Sequence, residues 1–344
     1  MLEQGLVQVY TGNTGQMNCA HIGLCLRATG QKLRTFIMGF VPHPLVDIED
    51  RAISYLRPFV EVERLSLHSG YKDETSHDED AERISAGLEH VQEIVESGAF
   101  DIVILEDINQ MVDMGIIPAG RILDLLERKP PNVELVLTGS SAKEEIIAQA
   151  ELVTEMVVHK GEEGSWLVGG ANREGCVWVV TGDGKGKTTY CLGMAMFFAA
   201  SGIPSSVLQF IKSPRAYGEV VAIEWFPNLE VKTMGEGFIV GPSRPSQKHM
   251  KAARKAWEAC LREIFSLTYH LIVLDEINVA THIGLVHPER VREMMFLKPK
   301  GVKIILSGRN AHPEIIEHAS AVFEMREIKH PFHKGIQARR GIEF

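Results

Sequence analysis

Four short segments of the first half of the chain recur in the second half, in the same order. Residues 9–13 (VYTGN) match residues 179–183 (VVTGD), which lie 170 positions later. The other three matches lie 169 positions apart, and they pair residues 104–109 with 273–278, 137–139 with 306–308, and 155–156 with 324–325. Ordered matches at a nearly constant distance predict a tandem duplication, so the two halves should share one fold.

Each half also alternates segments that have the patterns of strands and helices. In the second half, short apolar runs predict strands at residues 176–180, 206–211, 270–274 and 302–306, and helical spacing predicts helices at 188–201 and 252–265. Strands that alternate with helices form a mostly parallel sheet with helices on both faces. The chain is therefore predicted to be α/β, with domains at residues 1–165 and 172–344 and a glycine-rich join near 161–175.

A glycine-rich loop lies between a predicted strand and a predicted helix of the second domain, where residues 181–189 read TGDGKGKTT. Glycines let backbone N–H groups surround phosphate oxygens, a lysine adds positive charge, and a following threonine suits Mg²⁺. Thr181 stands where the usual G-x-x-x-x-G-K-T motif has its first glycine. Both domains are predicted to be of the P-loop (RecA-like) type. The nucleotide-binding candidates are Gly182, Asp183, Gly184, Lys185, Gly186, Lys187, Thr188 and Thr189, and for Lys185 plain exposure is an equal alternative.

Three further candidates follow predicted strands of the second half. Asp275 and Glu276 end one apolar run, and carboxylates at a strand end near a P-loop hold Mg²⁺ directly or through water. Arg309 follows another run, where its guanidinium either binds phosphate or forms a surface ion pair. Since ligands gather at the carboxyl ends of parallel strands, these side chains should converge on the P-loop.

The first half lacks the groups that give a P-loop its chemistry. At the matching positions Met17 and Asn18 replace the lysine and the threonine, residues 106–107 keep two carboxylates in swapped order, and Ser140 replaces the arginine. We therefore expect no nucleotide turnover in this half, and weak nucleotide binding stays an open alternative.

Composition restricts the class of protein further. The formal net charge of −9 disfavours a broad nucleic-acid surface, and no apolar run reaches the roughly 18 to 20 residues of a membrane span. The five cysteines are scattered, and the fourteen histidines show no compact metal-ligand spacing. With a start that lacks the pattern of a signal peptide, these features favour a cytoplasmic protein with no nucleic-acid or membrane partner.

The second half closely resembles one family, the ATP:corrinoid adenosyltransferases of the P-loop type, which act on cob(I)alamin or cob(I)yrinic acid a,c-diamide. The resemblance rests on residues 181–189, 274–278, 307–309 and 324–326 and on the tail at 329–344. The first half resembles a degenerate copy of the same family, mainly at its start and at residues 101–109 and 152–156.

The resemblance implies transfer of the 5′-deoxyadenosyl group of ATP to the cobalt(I) of a reduced corrinoid, with triphosphate as the leaving group. It implies catalytic roles for Lys187 and Glu276 and an Mg²⁺ ion held by Thr188 and Glu276, with Asp275 as a further candidate ligand. Phe238 would lie in the corrinoid-binding loop. The implied ligands are ATP, Mg²⁺ and a corrinoid, and a flavoprotein-like electron donor would reduce the cobalt.

Two positions depart from the family pattern. Family members commonly follow the phenylalanine of the corrinoid loop with Thr-Trp, whereas Ile239 and Val240 follow Phe238 here. Phe197 stands where an arginine is frequent, and the first half keeps Arg27 at the matching position. Family members usually form dimers in which one subunit helps to cover the other's site. We therefore expect the first half to act as a built-in partner, an intramolecular pseudo-dimer that closes the corrinoid site or supplies Arg27, with an additional homodimer as an open alternative.

Two other functions compete with adenosyl transfer. One is a pseudoenzyme that binds or delivers a corrinoid or a nucleotide; the missing tryptophan favours it, and the intact Lys187, Thr188 and Glu276 oppose it. The other is a P-loop ATPase that drives an unrelated partner. It would release phosphate steadily without a corrinoid, whereas adenosyl transfer releases triphosphate.

Overall fold

The computed structural model describes residues 2–12, 19–41, 43, 45–67, 77–161, 175–214, 217–237 and 245–344, with the backbone alone at 77 and 78. The strands of the first half are β1 (Val7–Gly12), β2 (Thr35–Gly39), β3 (Val60–Arg64), β4 (Ile102–Glu106), β5 (Glu134–Leu137) and β6 (Leu152–Lys160). Those of the second half are β7 (Val177–Thr181), β8 (Ser205–Gln209), β9 (Leu229–Thr233), β10 (Leu271–Asp275), β11 (Lys303–Ser307) and β12 (Ala321–Lys329).

Across these ranges the strands form a single twelve-stranded sheet in the order β3-β2-β4-β5-β1-β6-β12-β7-β11-β10-β8-β9. Counted inward from its outer edge, each half has the same order, so β7 occupies in one half the place of β1 in the other. Neighbouring strands within each half are parallel. The halves meet where β6 and β12 pair antiparallel, with Met156 opposite Met325.

The helices of the first half are α1 (Ala20–Gly30), α2 (Val46–Ser54), α3 (His77–Ser97), α4 (Ile108–Asp113), α5 (Ala119–Arg128) and α6 (Glu144–Gln149). Those of the second half are α7 (Lys187–Ala200), α8 (Gly218–Ala222), α9 (Gln247–Ser266), α10 (Ile277–His282), α11 (Pro288–Leu297) and α12 (Pro313–His318), with 3₁₀ turns at Ile223–Trp225 and Pro331–Lys334.

Helices cover both faces of the sheet, which explains why its inner strands are apolar along their whole length. On one face, α1, α2, α7 and α8 contribute to one core that both halves share. On the other face each half has its own core, built with α3 to α6 in the first half and with α9 to α12 in the second. The shared core fixes the two halves to each other.

The helices α1 and α7 cross at two glycines that occupy matching positions of the two halves. A Cβ atom on Gly23 would lie 1.8 Å from the carbonyl oxygen of Thr189, and a Cβ atom on Gly193 would lie 2.0 Å from that of Cys19. Both atoms are backbone, so a side chain at either position would push the helices apart. The two glycines therefore permit the close contact between the halves.

The predicted α/β class, the parallel sheets and the helices on both faces are confirmed. The six segments predicted in the second half are all present. Five of them differ from the prediction by one or two residues at their ends, and α9 begins earlier because Ser246 caps it by accepting the N–H of His249 at 3.4 Å. The sequence did not predict that the two sheets join into one. In the described ranges, no helix is long and apolar enough to cross a membrane.

Candidate functional site

The glycine-rich loop joins β7 to α7 and is enclosed by neighbouring backbone and by the first half. Gly182 and Gly186 have positive φ angles of 94° and 99°, which favour glycine. A Cβ atom on Gly182 would lie 2.3 Å from the carbonyl oxygen of Met325, and one on Gly186 would lie 2.9 Å from the ring of Tyr10. The N–H of Gly184 donates to the Met325 carbonyl at 2.8 Å. The loop is therefore held between β12 and a side chain of β1.

Lys187 begins α7 and is almost completely buried, with 8% of its surface exposed. Its ammonium group donates to the carbonyl of Gly184 at 2.6 Å, so the side chain folds back over the loop. Burial lowers the pKa of Lys187 to about 8, and the negative charge of Glu276 opposes this shift. A phosphate at this loop would meet a cation that has little contact with water.

Asp275 is fully buried at the end of β10 and joins three neighbouring strands and α7. Its Oδ1 accepts hydrogen bonds from the hydroxyl of Thr188 at 2.9 Å and from that of Ser307 at 2.7 Å. Its Oδ2 accepts from the amide of Gln209 at 3.1 Å. These bonds fix the Thr188 hydroxyl beside a carboxylate, which is an arrangement of hard oxygen ligands that suits Mg²⁺.

Glu276 follows in the left-handed conformation, with φ of 62°, and its N–H donates to Ser307 at 3.1 Å. Its Oε2 is buried and has no hydrogen-bond partner in the described structure. Burial and the neighbouring Asp275 raise the pKa of Glu276 to about 7, and Lys187 opposes the shift. A Cβ atom on Gly308 would lie 2.8 Å from this oxygen. A buried oxygen that lacks a partner fits a cation as its ligand, so Thr188, Asp275 and Glu276 fit the implied Mg²⁺.

The remaining polar side chains that the sequence predicted for this site pair with groups other than Asp275 and Glu276. The ammonium of Lys185 pairs with the tail carboxylate of Glu343 at 2.7 Å. The guanidinium of Arg309 donates to the carbonyl of Asp183 at 2.8 Å, which places it at the rim of the loop. Thr189 points toward the first half, as described below. Phe238 lies outside the described residues, as do Ile239 and Val240.

The first half repeats the strand-end turn but not its surroundings. Asp107, like Glu276, is left-handed, with φ of 57°, and donates its N–H to the hydroxyl of Thr138 at 3.1 Å. Met17 and Asn18 lie outside the described residues. Glu106, which occupies the place of Asp275, contacts two buried histidines and an arginine. Sequence spacing missed this cluster because its members come from five separate segments.

Arg27 of α1 crosses into the second half. Its guanidinium donates to the hydroxyl of Thr189 at 3.0 Å and to the buried carboxylate of Glu219 at 3.4 Å. The ammonium of Lys212 lies on the same carboxylate. Arg27 and Lys212 keep the pKa of Glu219 at about 2, although burial alone would raise it. Phe197, at the matching position of the second half, contributes instead to the wall of the first-half cluster.

Sequence reasoning missed several residues that shape this region. Tyr10, Gln209 and Glu343 lie in segments that the sequence analysis singled out, but no local pattern identifies their partners, which are distant in the chain. Glu219 carries a signal that was not used: Glu49 lies 170 positions before it, at the distance of the repeat. The repeat thus marks an acidic position in both halves.

A sequence model of the family described as "ATP:corrinoid adenosyltransferase BtuR/CobO/CobP" matches the chain twice, at residues 3–164 and 173–344. An uncharacterized protein of Nostoc sp. is 27% identical over an alignment of 365 positions, which covers 99% of this chain and 95% of the relative.

Several curated relatives match half of the chain. A corrinoid adenosyltransferase of Sinorhizobium sp. is 39% identical over 176 residues, which cover 50% of this chain and 82% of the relative. Another from Pseudomonas aeruginosa is 33% identical over 174 residues, which cover 50% of this chain and 85% of the relative. The chain is thus similar along its length to the Nostoc protein and over half of its length to the two corrinoid adenosyltransferases.

Proposed function

Because this chain belongs to the ATP:corrinoid adenosyltransferase family, we propose that its second half transfers the 5′-deoxyadenosyl group of ATP to the cobalt(I) of a reduced corrinoid and releases triphosphate. The working domain is residues 172–344, and residues 1–165 form a degenerate copy that turns over no nucleotide. The observation that carries the proposal is the intact loop of the second half, where buried Lys187 lies over Gly184 and acts electrostatically on Glu276.

The proposed reaction needs no nucleophile from the protein. The electron pair of cobalt(I) attacks C5′ of ATP, a cobalt–carbon bond forms, and the C5′–oxygen bond breaks with its electrons on the triphosphate. Negative charge grows on that leaving group. Lys187 and the loop N–H groups would stabilise it, and Arg309 at the rim supplies a second cation. A bound phosphate would replace the Gly184 carbonyl as the partner of Lys187 and raise the pKa of this ammonium.

The residues Thr188, Asp275 and Glu276 would hold Mg²⁺. When bound, this ion neutralises charge on the phosphate oxygens. The protein contributes the fixed oxygen atoms: the Thr188 hydroxyl and Asp275 are already bonded to each other, and Glu276 offers its unpartnered oxygen.

The first half serves this site as a permanent partner. Tyr10 packs on Gly186, and Arg27 binds Thr189 directly after the loop threonine. These contacts support an intramolecular pseudo-dimer in place of the two subunits implied by the resemblance. The corrinoid and a flavoprotein-like electron donor are the proposed external partners, and Phe238 is a proposed corrinoid contact.

The test supplies the purified chain with ATP, Mg²⁺, cobalamin and a strong chemical reductant, and measures adenosylcobalamin by its absorption. We expect Lys187→Ala to lower the rate at least about 100-fold, because one preorganised charge contact in a dry site is worth that much. Lys143→Ala is the matched control, since Lys143 is exposed and pairs with Asp113 in the first half.

The product identifies the chemistry. Stoichiometric triphosphate with adenosylcobalamin supports the proposal. Steady release of phosphate without a corrinoid would indicate an ATPase. If the protein binds ATP and a corrinoid but forms no product with either cobalamin or cobyrinic acid a,c-diamide as the substrate, it is a pseudoenzyme.

A further inference from the structure

The position that corresponds to the Mg²⁺ site holds a different group of ligands in the first half. Glu106 occupies the place of Asp275, at the end of β4, and His21 of α1 and Glu49 of α2 face it. One ligand atom from each of these residues lies within 4.8 Å of the other two, and all three residues are buried. The exposed fractions of their side chains are 5% for His21, 2% for Glu49 and 5% for Glu106.

One imidazole nitrogen of His21 lies close to an oxygen of each carboxylate. His21 Nε2 lies 3.3 Å from Glu106 Oε1 and 3.6 Å from Glu49 Oε1. Ligand atoms about 2.0–2.1 Å from a tetrahedral zinc ion are about 3.3–3.4 Å apart, so the distance from His21 to Glu106 matches such a site and that to Glu49 is slightly longer. His43 Nε2 lies next to the same carboxylates, 3.2 Å from Glu49 Oε2 and 3.5 Å from Glu106 Oε1.

A small cavity lies at this cluster. Its volume is about 10 Å³, and the two histidines, the two glutamates, Cys19 and Phe197 contribute to its wall. One water-sized sphere takes about this volume. The space is therefore large enough for a single ion and too small for a nucleotide.

The two carboxylates are already oriented from outside. Arg64 donates to Glu49 Oε1 at 2.7 Å and to Glu106 Oε2 at 2.5 Å, and it also pairs with Asp50. Hydrogen bonds of this kind commonly fix the carboxylates that bind a metal. They leave Glu106 Oε1 beside both imidazoles and Glu49 Oε2 beside His43, while the Glu49 oxygen nearest to His21 is the one that Arg64 holds.

We propose that His21, Glu49 and Glu106 form a binding site for one divalent transition-metal ion, for which Zn²⁺ is the best fit. Imidazole together with carboxylate selects such ions over Mg²⁺ and Ca²⁺, which prefer oxygen ligands alone. His43 is the neighbouring group that completes or orients the set. The site needs no nucleotide, and it ties α1 and α2 to β4 in the half that has lost its phosphate loop.

The competing arrangement contains no metal. Two protonated histidines would balance the two glutamates, and the carboxylates do raise the pKa of His21 to about 10 and that of His43 to about 9. Asp107, whose pKa burial raises to about 6, and Arg64 are the other charged groups at the cluster. A metal would displace these protons, so binding should release them and weaken as the pH falls.

The test uses the full-length chain, stripped with a chelator and without ATP or corrinoid. The Glu276→Gln background removes a carboxylate of the second-half site, so that metal bound there does not confuse the count. Zn²⁺ is added in excess, unbound metal is removed by dialysis, and the metal that the protein retains is measured by mass spectrometry. Co²⁺ serves as a second probe, since its visible absorption reports nitrogen and oxygen ligands. We expect one equivalent of each metal and a rise in the melting temperature.

Two ligand variants and one control locate the site. His21→Gln and Glu49→Gln should each weaken metal binding at least about 100-fold, because even residues that only orient ligands contribute about 10- to 100-fold. His159→Gln is the control, since His159 forms an exposed pair with Glu324 at 2.7 Å and should leave binding unchanged. Circular dichroism checks that each variant is folded. If one ligand variant does not fold, the other still tests the site.

Less than one-tenth of an equivalent of metal in the stripped and reloaded protein would overturn the proposal. Binding that persists equally in both folded ligand variants would overturn it as well. Neither result bears on adenosyl transfer, because no substrate of that reaction is present.

Discussion

Lys187 and Glu276 are two buried groups of opposite charge whose pKa values lie close together. Burial lowers the pKa of Lys187 to about 8 and raises that of Glu276 to about 7. Near neutral pH the ligand-free site therefore contains an incompletely ionised pair. The triphosphate and Mg²⁺ of the proposed reaction would favour the charged form of each group, and shifted pKa values of this kind are common at functional sites.

Glu276→Gln is expected to stabilise the free protein at pH 8 and to impair the reaction. A carboxyl whose pKa is raised from 4.5 to about 7 binds its proton more tightly in the folded state. Its contribution to stability is therefore lost as the pH rises from about 4.5 through about 7. The neutral amide removes this loss, for an expected gain of about 1–2 kcal/mol in the free energy of unfolding at pH 8.

Urea unfolding of the wild type and of Glu276→Gln at pH 5 and pH 8 measures this effect. The difference in the free energy of unfolding between the two proteins should be large at pH 8 and small at pH 5. A variant that is less stable than the wild type at pH 8 would contradict the assignment of a buried, unpaired carboxyl.

At the scale of elements, the close contact of α1 and α7 positions residues of both halves. Gly193→Ala is expected to lower the free energy of unfolding by about 1–3 kcal/mol, because its Cβ atom would lie 2.0 Å from the Cys19 carbonyl oxygen. The helices would have to separate. The separation would also lengthen the bond between Arg27 and Thr189.

Gly120→Ala is the matched control for this substitution. Gly120 also lies in a helix, α5, but a Cβ atom there meets nothing within 4 Å. Since alanine favours a helix over glycine, this variant should be neutral or up to about 1 kcal/mol more stable. If both substitutions changed the free energy of unfolding equally, the close contact of α1 and α7 at Gly193 could not be the cause of the destabilisation.

The sequence predicted the elements that depend on local pattern. Apolar runs located four of the six strands described in the second half and missed β9 and β12, and the loop at residues 181–189 located the turn between β7 and α7. The convergence of Thr188 with Asp275 followed from parallel strand topology and is present at 2.9 Å. These features were accessible because a short motif or a regular period encodes each of them.

Contacts between distant segments could not be predicted in this way. The histidine and glutamate cluster draws on α1, α2, β4 and the residue His43, and no spacing relates these segments. The pairing of Lys185 with Glu343 depends on where the tail returns to the loop. The antiparallel seam between β6 and β12 depends on two edge strands that are each complete within their own half.

At the scale of the whole molecule, the shared core and the seam make the halves one body. Arg27 is one of the charged groups that join them, because it pairs with the fully buried Glu219, whose other cationic partner is Lys212. Arg27→Gln should lower the free energy of unfolding at pH 7 by about 1.5–3 kcal/mol, since it removes a hydrogen bond to a buried charge while Lys212 stays beside Glu219.

The pH dependence of this loss gives a second readout. Glu219 has a pKa lowered to about 2, so its contribution to stability is present above about 4.5 and is lost as the pH falls toward 2. The difference in the free energy of unfolding between Arg27→Gln and the wild type should therefore become smaller below pH 4.5. Arg254→Gln, at an exposed pair with Glu258, is the control and should change stability by less than about 1 kcal/mol. A loss no larger than the control's would refute the role of Arg27.

Arg27 and Phe197 occupy matching positions, yet one supplies a cation across the seam and the other an apolar wall. In a pair of identical subunits each substitution appears twice, so neither residue could be present without its copy in the opposite site. A single chain with two halves is free of that constraint. Like a heterodimer, it can combine two different sets of side chains at a fixed one-to-one ratio, and one half can change its residues while the other keeps its own.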